Sequence, residues 1–220
     1  MSLFPEAPPR YWIDPADADA EGLVGVGGNL RPHTLLRAYR EGVFPWYGEG
    51  DPILWWSPDP RAIFTFDSFH ISKRLARTLR SGKFQITFDC DFPSVIRHCA
   101  DRTDQGTWIT PEMMDAYIRL HRLGFAHSVE TWLDGELAGG LYGVAVGGFF
   151  AAESMFYRKT DGSKVALAAL IHRLAERGFE LMDTQMVTEH THSMGAIEIP
   201  RREYLTRLAL AVAKPNVSLV

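Results

Sequence analysis

Residues 137–156, LAGGLYGVAVGGFFAAESMF, decide how this chain folds. Two apolar runs rich in β-branched and aromatic residues flank Gly147 and Gly148, the pattern of two strands joined by a tight turn. The second run carries Glu153 in its middle. An ionised carboxylate without a partner in an apolar sheet loses several kcal/mol of hydration or takes up a proton instead, so Glu153 needs a partner, a pocket or a chemical role.

Upstream, HSVETWL (127–133) reads as a further strand and DGE (134–136) as its hairpin turn. Downstream, DGSKVALAALIHRLAERG (161–178) places Val165, Leu167, Leu170, Ile171 and Leu174 on a helical period that Gly178 ends. FELMDTQMV (179–187) is another buried strand, and PRREYLTRLALAVA (200–213) a last amphipathic helix. Before these come a strand in IFTFDSF (63–69) and short helices in SKRLARTLRSG (72–82) and DFPSVIRHCADR (91–102). A helix after GTWIT (106–110) is capped by Thr110, with Pro111 in its first turn and Gly124 at its end.

The first sixty residues differ in kind. RPHTLLRAYREG (31–42) holds one short helix between Pro32 and Gly42, and FPWYGEGDPILWWSPDPR (44–61) makes an ordered, irregular aromatic segment. The expected division is a small amino-terminal α/β domain over residues 1–60 and a larger domain over 61–220. The expected class is α+β, with a mixed, mostly antiparallel central sheet flanked by helices. That order of elements resembles the GNAT acyltransferase architecture.

At 220 residues with 46% hydrophobic and 23% charged side chains, the chain is globular rather than disordered or fibrous. No run approaches the ~18 apolar residues of a membrane helix, and MSLFPEAPPR lacks the plan of a secretory signal, so a cytosolic protein is expected. Cys90 and Cys99 form neither a CxxC pair nor a disulfide framework. The net charge of −4 hides an asymmetry: residues 61–83 carry +5 and the remainder −9. Lys73, Arg74, Arg77 and Arg80 lie on one helix without acidic partners four residues away, which suits contact with phosphate.

Strand alternation sends Asp183 and Gln185 to one face and Met182 and Thr184 to the other. With Glu153 they make three polar groups in neighbouring apolar strands, a ligand site or a structural hydrogen-bond network. His190 and His192 stand beside Glu189 without a third metal ligand at a usual spacing, and no metal is expected. Ser154 lacks the GxSxG elbow of a serine hydrolase.

FPWYGEGDPILWWSPDPR, GTWIT, HSVETW, GGLYGVAVGGFFAAESMF, MDTQ and EIPRREYL together resemble the bacterial leucyl/phenylalanyl-tRNA protein transferases from about Gly22 to Leu205. The resemblance implies a small amino-terminal domain on a GNAT-like domain. It also implies transfer of Leu or Phe, and Met less well, from aminoacyl-tRNA to proteins beginning with Arg or Lys, marking them for degradation. The family's catalytic group falls on Asp183, Gln185 and Glu153, and its adenosine-binding tryptophans on Trp46 and Trp108. Its aminoacyl pocket maps to Leu141, Phe150, Met155, Leu167, Leu170, Leu174 and Met182. Leu170 and Leu174 look smaller than the aromatic residues expected of relatives, and Met182 should alternate away from Asp183. Its tRNA patch matches Lys73, Arg77 and Arg80, with Arg74 on the same helix.

An activated ester donor needs no covalent enzyme nucleophile, so the chemistry reduces to positioning a neutral amine, with Asp183 fixing Gln185 and Glu153 as base or electrostatic anchor. The expected protein is a monomer without cofactor or membrane partner. Two alternatives are an acetyl-CoA-dependent N-acetyltransferase, for which YRKTDGSK (157–164) lacks Gly-x-Gly spacing, and a non-catalytic RNA-binding protein, which leaves the three polar strand residues without a role.

Overall fold

Short-range chemistry in the amino-terminal sixty residues builds a four-stranded sheet around one helix. The computed structural model describes residues 11–67, 69–101, 107–215 and 217–220. The segment MSLFPEAPPR, together with Ser68, Arg102 and Gly106 of the motifs quoted above, lies outside the described residues. In the small sheet, β1 (Tyr11–Trp12), β2 (Leu23–Val26), β3 (Phe44–Pro45) and β4 (Leu54–Trp56) run in the order β1-β2-β4-β3. Helix α1 (Pro32–Arg40) starts on its proline, as expected, and ends where Gly42 takes a φ of 76°. The individual strands of this sheet could not be placed from the sequence, because runs of two to four residues are too short to show a period.

The larger sheet has seven strands. They are β5 (Arg61–Phe64), β6 (Gln85–Phe88), β7 (Ala126–Leu133), β8 (Glu136–Val146), β9 (Phe149–Tyr157), β10 (Leu181–Gln185) and β11 (Ile197–Ile199). Their order is β11-β5-β10-β9-β8-β7-β6, and every neighbouring pair is antiparallel except β9 with β10. This is the mixed, mostly antiparallel sheet read from the sequence; β6 and β11 are additions to that reading.

Its turns follow from residue type. Asp134 and Gly135 have φ of 53° and 79°, the mirror-image turn whose twist matches a hairpin. Gly147 joins β8 to β9 with a φ of 58°, and a Cβ there would lie 2.4 Å from the carbonyl oxygen of Val212.

The helices cap as their sequences suggest. Helices α2 (Lys73–Arg80), α3 (Phe92–Ala100) and α4 (Pro111–Arg122) are opened by side-chain oxygens of Ser72, Asp91 and Thr110. Helix α5 (Gly162–Glu176) links β9 to β10, and α6 (Glu189–Ser193) and α7 (Arg201–Val212) complete the chain. EHTHS is therefore a short helix.

Alternation along each strand divides the apolar residues between two layers. Leu35, Trp55, Phe92, Tyr117, Tyr142, Leu181 and Leu208 pack on one face with α1, α3, α4 and α7. Leu75, Phe150, Leu167, Leu170, Leu174 and Met182 pack on the other under α2 and α5. Leu181 and Met182 thus face opposite layers, as strand geometry requires. Arg201 ties α7 to the small sheet region by donating to the carbonyls of Ala18, Asp19 and Ser57. No helix among the described residues is long and apolar enough to cross a membrane.

Candidate active site

The site opens where two parallel strands stop pairing. The β9–β10 ladder runs Leu181↔Phe149, Met182↔Phe150 and Asp183↔Ala151, and there it ends. Both strands are irregular just beyond that point. On β9 the register with β8 passes from Gly143↔Ala152 to Tyr142↔Ser154, so Glu153 is the unpaired extra residue of a β-bulge. On β10 the register with β5 passes from Asp183↔Ile63 to Gln185↔Ala62, and Gln185 takes a φ of 58°, uncommon for a residue other than glycine. The bulges re-aim both side chains. Glu153 tolerates its apolar strand because it has left the ladder and faces a cavity.

That cavity has a volume of about 810 Å³. Leu141, Met155, Leu167 and Met182 supply apolar wall, while Glu153, Thr184 and Gln185 stand along its polar side. Gln185 Nε2 donates to Glu153 Oε1 at 3.3 Å, which turns the amide oxygen away from the carboxylate. Tyr117 donates its hydroxyl to Glu153 Oε2 at 3.2 Å, and the Tyr39 and Tyr117 hydroxyls lie 2.5 Å apart. Burial, then the nearby Glu153 charge, raises the pKa of both tyrosines well above the ordinary phenol value, so both keep their protons.

Glu153 is pushed up to about 7, chiefly by burial. The Tyr39 hydroxyl opposes that rise, the Asp183 charge adds to it, and Tyr117 and Arg61 oppose it further. A carboxyl tuned to the middle of the physiological range can exist in either form and exchange a proton.

Asp183 takes a different place from the one alternation suggested. It is fully buried behind the cavity rather than lining it, and Arg61 grips it through Nε to Oδ1 at 2.8 Å and Nη2 to Oδ2 at 2.6 Å. Tyr204 also donates to Oδ2, at 3.1 Å. Burial works against the Arg61 charge, but the carboxylate beside it outweighs burial and keeps the guanidinium charged. Oδ1 accepts the backbone N–H of Gln185 at 2.9 Å and so closes the bulge. Asp183 therefore fixes Gln185 through the main chain. The bulge breaks the alternation that had put the two side chains together.

Of the aminoacyl-pocket residues named from sequence, Leu141, Met155, Leu167 and Met182 line the cavity. Phe150, Leu170 and Leu174 are fully buried in the apolar layer behind it, not on its wall. Trp46 and Trp108 lie outside the cavity lining: Trp46 is 43% exposed on β3–β4, and Trp108 packs partly buried before α4.

Lys73, Arg74, Arg77 and Arg80 are all exposed on α2. Arg74 meets Asp161 at 3.3 Å across the gap to α5, a pairing outside its own helix. Arg61, counted with this basic segment in the sequence, is sealed in the interior and contributes nothing to its surface charge. Arg61, Tyr39, Tyr117 and Tyr204 are site residues that sequence reasoning missed. Their partners lie on distant strands and helices, and no local spacing marks them. Among the described residues no group of three or more His, Cys, Asp or Glu could hold a metal ion.

A family model described as leucyl/phenylalanyl-tRNA protein transferase matches residues 63–209, and one for the N-terminal domain of the same family matches residues 28–59. A leucyl/phenylalanyl-tRNA–protein transferase of Magnetococcus marinus is 53% identical over 222 residues, covering 98% of this chain and 94% of that protein. That of Syntrophobacter fumaroxidans is 55% identical over 205 residues, covering 92% and 86%. Solved structures give weaker matches. An aminoglycoside acetyltransferase from an uncultured soil metagenomic sample superposes with a TM-score of 0.40 at 13% identity, covering 62% of this chain and 93% of that one. A ribosomal-protein-alanine N-acetyltransferase of Brucella melitensis gives 0.37 at 14%, covering 50% and 87%.

Proposed function

The chain belongs to the leucyl/phenylalanyl-tRNA protein transferase family, and we propose that it moves Leu or Phe, and Met less well, from aminoacyl-tRNA to the α-amine of proteins beginning with Arg or Lys. The observation that carries this reading is the Glu153–Gln185 pair, 3.3 Å apart on the polar side of one cavity whose other wall is Leu141, Met155, Leu167 and Met182.

The donor side chain enters against the apolar wall. Burying a Leu or Phe there is worth about 1.5–3 kcal/mol, whereas a polar side chain would be desolvated without a partner. The adenosine of the tRNA end stacks on Trp46 and Trp108, and the exposed cations of α2 hold the acceptor backbone. In this reading residues 1–60 present Trp46 and residues 61–220 carry the reacting groups, within one monomer.

The acceptor amine has an ordinary pKa of about 7.7–8.0 and must be neutral to attack. The Gln185 amide oxygen accepts one of its N–H bonds and directs the lone pair at the ester carbonyl. As the C–N bond forms, the amine gives up a proton, and the departing ribose oxygen gains one when the ester C–O bond breaks. Glu153 lies beside both events with the affinity to take the first proton. Its negative charge also favours the cationic side chain of an Arg or Lys terminus.

Labelled proteins are thereby marked for degradation, in the cytosol and without a cofactor. The test is a transfer assay with Phe-tRNA and peptides that begin with Arg, Lys or Ala. Label should reach the first two only; equal labelling of the Ala peptide rejects the acceptor assignment, and label on none rejects the activity.

A further inference from the structure

A second, smaller cavity of about 360 Å³ adjoins the first at the start of α5. Its lining includes Ser72, Arg74, Thr160, Ser163, Lys164 and His190, and it shares Tyr157, Ser163 and His190 with the larger cavity. It has three kinds of donor. The first turn of a 15-residue helix carries its positive dipole end, although the Gly162 N–H is already spent on the Lys159 carbonyl at 2.9 Å. The Lys164 side chain supplies charge, and Asp161, an acid of the same lining, is held by Arg74 at 3.3 Å and by the hydroxyl of Thr78 at 3.0 Å.

The third kind points to a ligand. Ser163 is 3% exposed and lines the cavity, and its hydroxyl meets no hydrogen-bond partner among the described residues. His190 Nε2 is likewise buried without a partner. Buried polar groups are ordinarily satisfied, so the orphaned His190 Nε2, in the same lining as the cavity-facing Ser163, marks a place where another molecule's polar group belongs. The backbone here is also fixed: a Cβ on Gly139 would come within 2.8 Å of Ser163 N, so β8 holds the helix start closely from behind.

We propose that this cavity binds one backbone phosphate in the unpaired 3′ end of the donor RNA, through the Ser163 hydroxyl, the first-turn amides of α5 and the Lys164 ammonium. The inference rests on the reading of function above. A nucleic-acid phosphate fits better than a free anion because the cavity lies between the aminoacyl cavity, whose lining it shares, and the exposed cations of α2. It offers donors for one phosphate on a path from the reacting ester to the acceptor stem.

The test compares Phe-tRNA with 3′-O-phenylalanyl-adenosine, a donor that has no phosphate. In Lys164→Ala the KM for Phe-tRNA should rise about tenfold, and the slope of log KM against log salt should flatten by about one unit. Both kcat and KM for phenylalanyl-adenosine should stay at wild-type values, and Lys164→Arg should recover most of the loss. Inorganic phosphate should compete with Phe-tRNA in the wild type and less in Lys164→Ala. An unchanged KM for Phe-tRNA in both Lys164→Ala and Ser163→Ala overturns the proposal, as does an equal loss with the two donors. If the wild-type protein used neither donor, the underlying reading of function would fall, and this inference with it.

Discussion

Arg61 and Asp183 face each other through two hydrogen bonds, Nε to Oδ1 at 2.8 Å and Nη2 to Oδ2 at 2.6 Å, with 1% and 0% of their side chains exposed. The same guanidinium donates to the Gly42 carbonyl at 2.9 Å and lies over the rings of Phe44 and Tyr204. One cation therefore joins the end of α1, the start of the large sheet and α7 to the bulge that aims Gln185. Its role is to hold the site in shape.

Breaking such a pair from one side strands the other charge in the interior. Asp183→Asn and Arg61→Met should each lower unfolding free energy by about 3–5 kcal/mol, measured by urea titration. The double variant Arg61→Met/Asp183→Leu should lose less than the sum of the singles, because no charge is left unpaired. Strict additivity would mean that the two groups are not coupled. Under conditions where Asp183→Asn remains folded, its kcat should fall, since the carboxylate oxygens that hold the Gln185 amide and Arg61 are no longer equivalent.

Glu153 gives a pH signature of definite sign. Its folded-state pKa of about 7 lies above the ordinary 4.5, so its protonated form is favoured by folding. Its stabilising contribution is fully present below 4.5 and is lost as pH rises through about 7. Glu153→Gln should therefore be less penalised at pH 8 than at pH 5 in unfolding measurements. In the proposed mechanism catalysis runs the other way: Glu153 must be ionised to take the amine's proton, so transfer to an Arg peptide should climb across pH 7 in the wild type. In Glu153→Gln the rate should drop about 10²-fold and follow only the titration of the amine near 8. A Glu153→Gln enzyme that keeps the inflection near 7 assigns it to another group.

The hairpin of β8 and β9 was legible because Gly147 and Gly148 interrupt two long apolar runs, and α5 because Val165, Leu167, Leu170, Ile171 and Leu174 keep a helical period. Glu153 was legible as an interruption. The direction of Asp183 was not, because alternation assumes a regular strand and the bulge after Asp183, with the positive φ of Gln185, cannot be seen in LMDTQM. Arg61 was hidden for another reason: its partner is 122 residues away, and in sequence it looks like one more member of a basic segment. Strand β6 escaped because Gln85 and Ile86 are both exposed, leaving QITF without an alternating face. The family resemblance assigns Phe150 to the pocket, but paired with Ala145 and Met182 in the regular ladder it points into the core.

The cations of α2 should contribute affinity without choosing among tRNAs. Arg77 and Arg80 are exposed on a helix that carries no acidic residue, so each is available to phosphate. Arg77→Ala and Arg80→Ala should weaken binding of Leu-tRNA and Phe-tRNA by the same factor, and each should reduce the salt slope by about one. Filter binding at several salt concentrations measures both. A loss confined to one tRNA species would assign these residues to sequence reading instead.

Trp46 should contribute to any donor that ends in adenosine. It is 43% exposed, yet its carbonyl accepts from the Trp56 indole at 2.7 Å and the two rings meet edge to face at 6.3 Å, so it is an exposed ring on a fixed backbone. Such a platform is worth about 1–3 kcal/mol per stacked base. Trp46→Ala should raise KM for Phe-tRNA and phenylalanyl-adenosine alike, and Trp46→Phe should restore part of the affinity. A variant that loses only the full tRNA would place the ring against the stem rather than the terminal base.

Donor choice tests the apolar wall most directly. Leu167 is fully buried and lines the cavity, while Leu170 and Leu174 of the same helix lie behind it. A larger side chain at residue 167 shortens the space for the incoming group, and Phe needs more of it than Leu. In Leu167→Phe the ratio of kcat/KM for Leu-tRNA over Phe-tRNA should rise about 10- to 200-fold, the range that one methylene or a few can command in an apolar pocket. Overpacking also strains the surrounding core, so a fall common to both donors is expected and the ratio is the informative quantity. Leu170→Phe, which alters the layer behind the wall, should lower stability with a smaller change in that ratio. If Leu170→Phe shifted the ratio as far as Leu167→Phe, the donor side chain would have to reach past Leu167 into the buried layer.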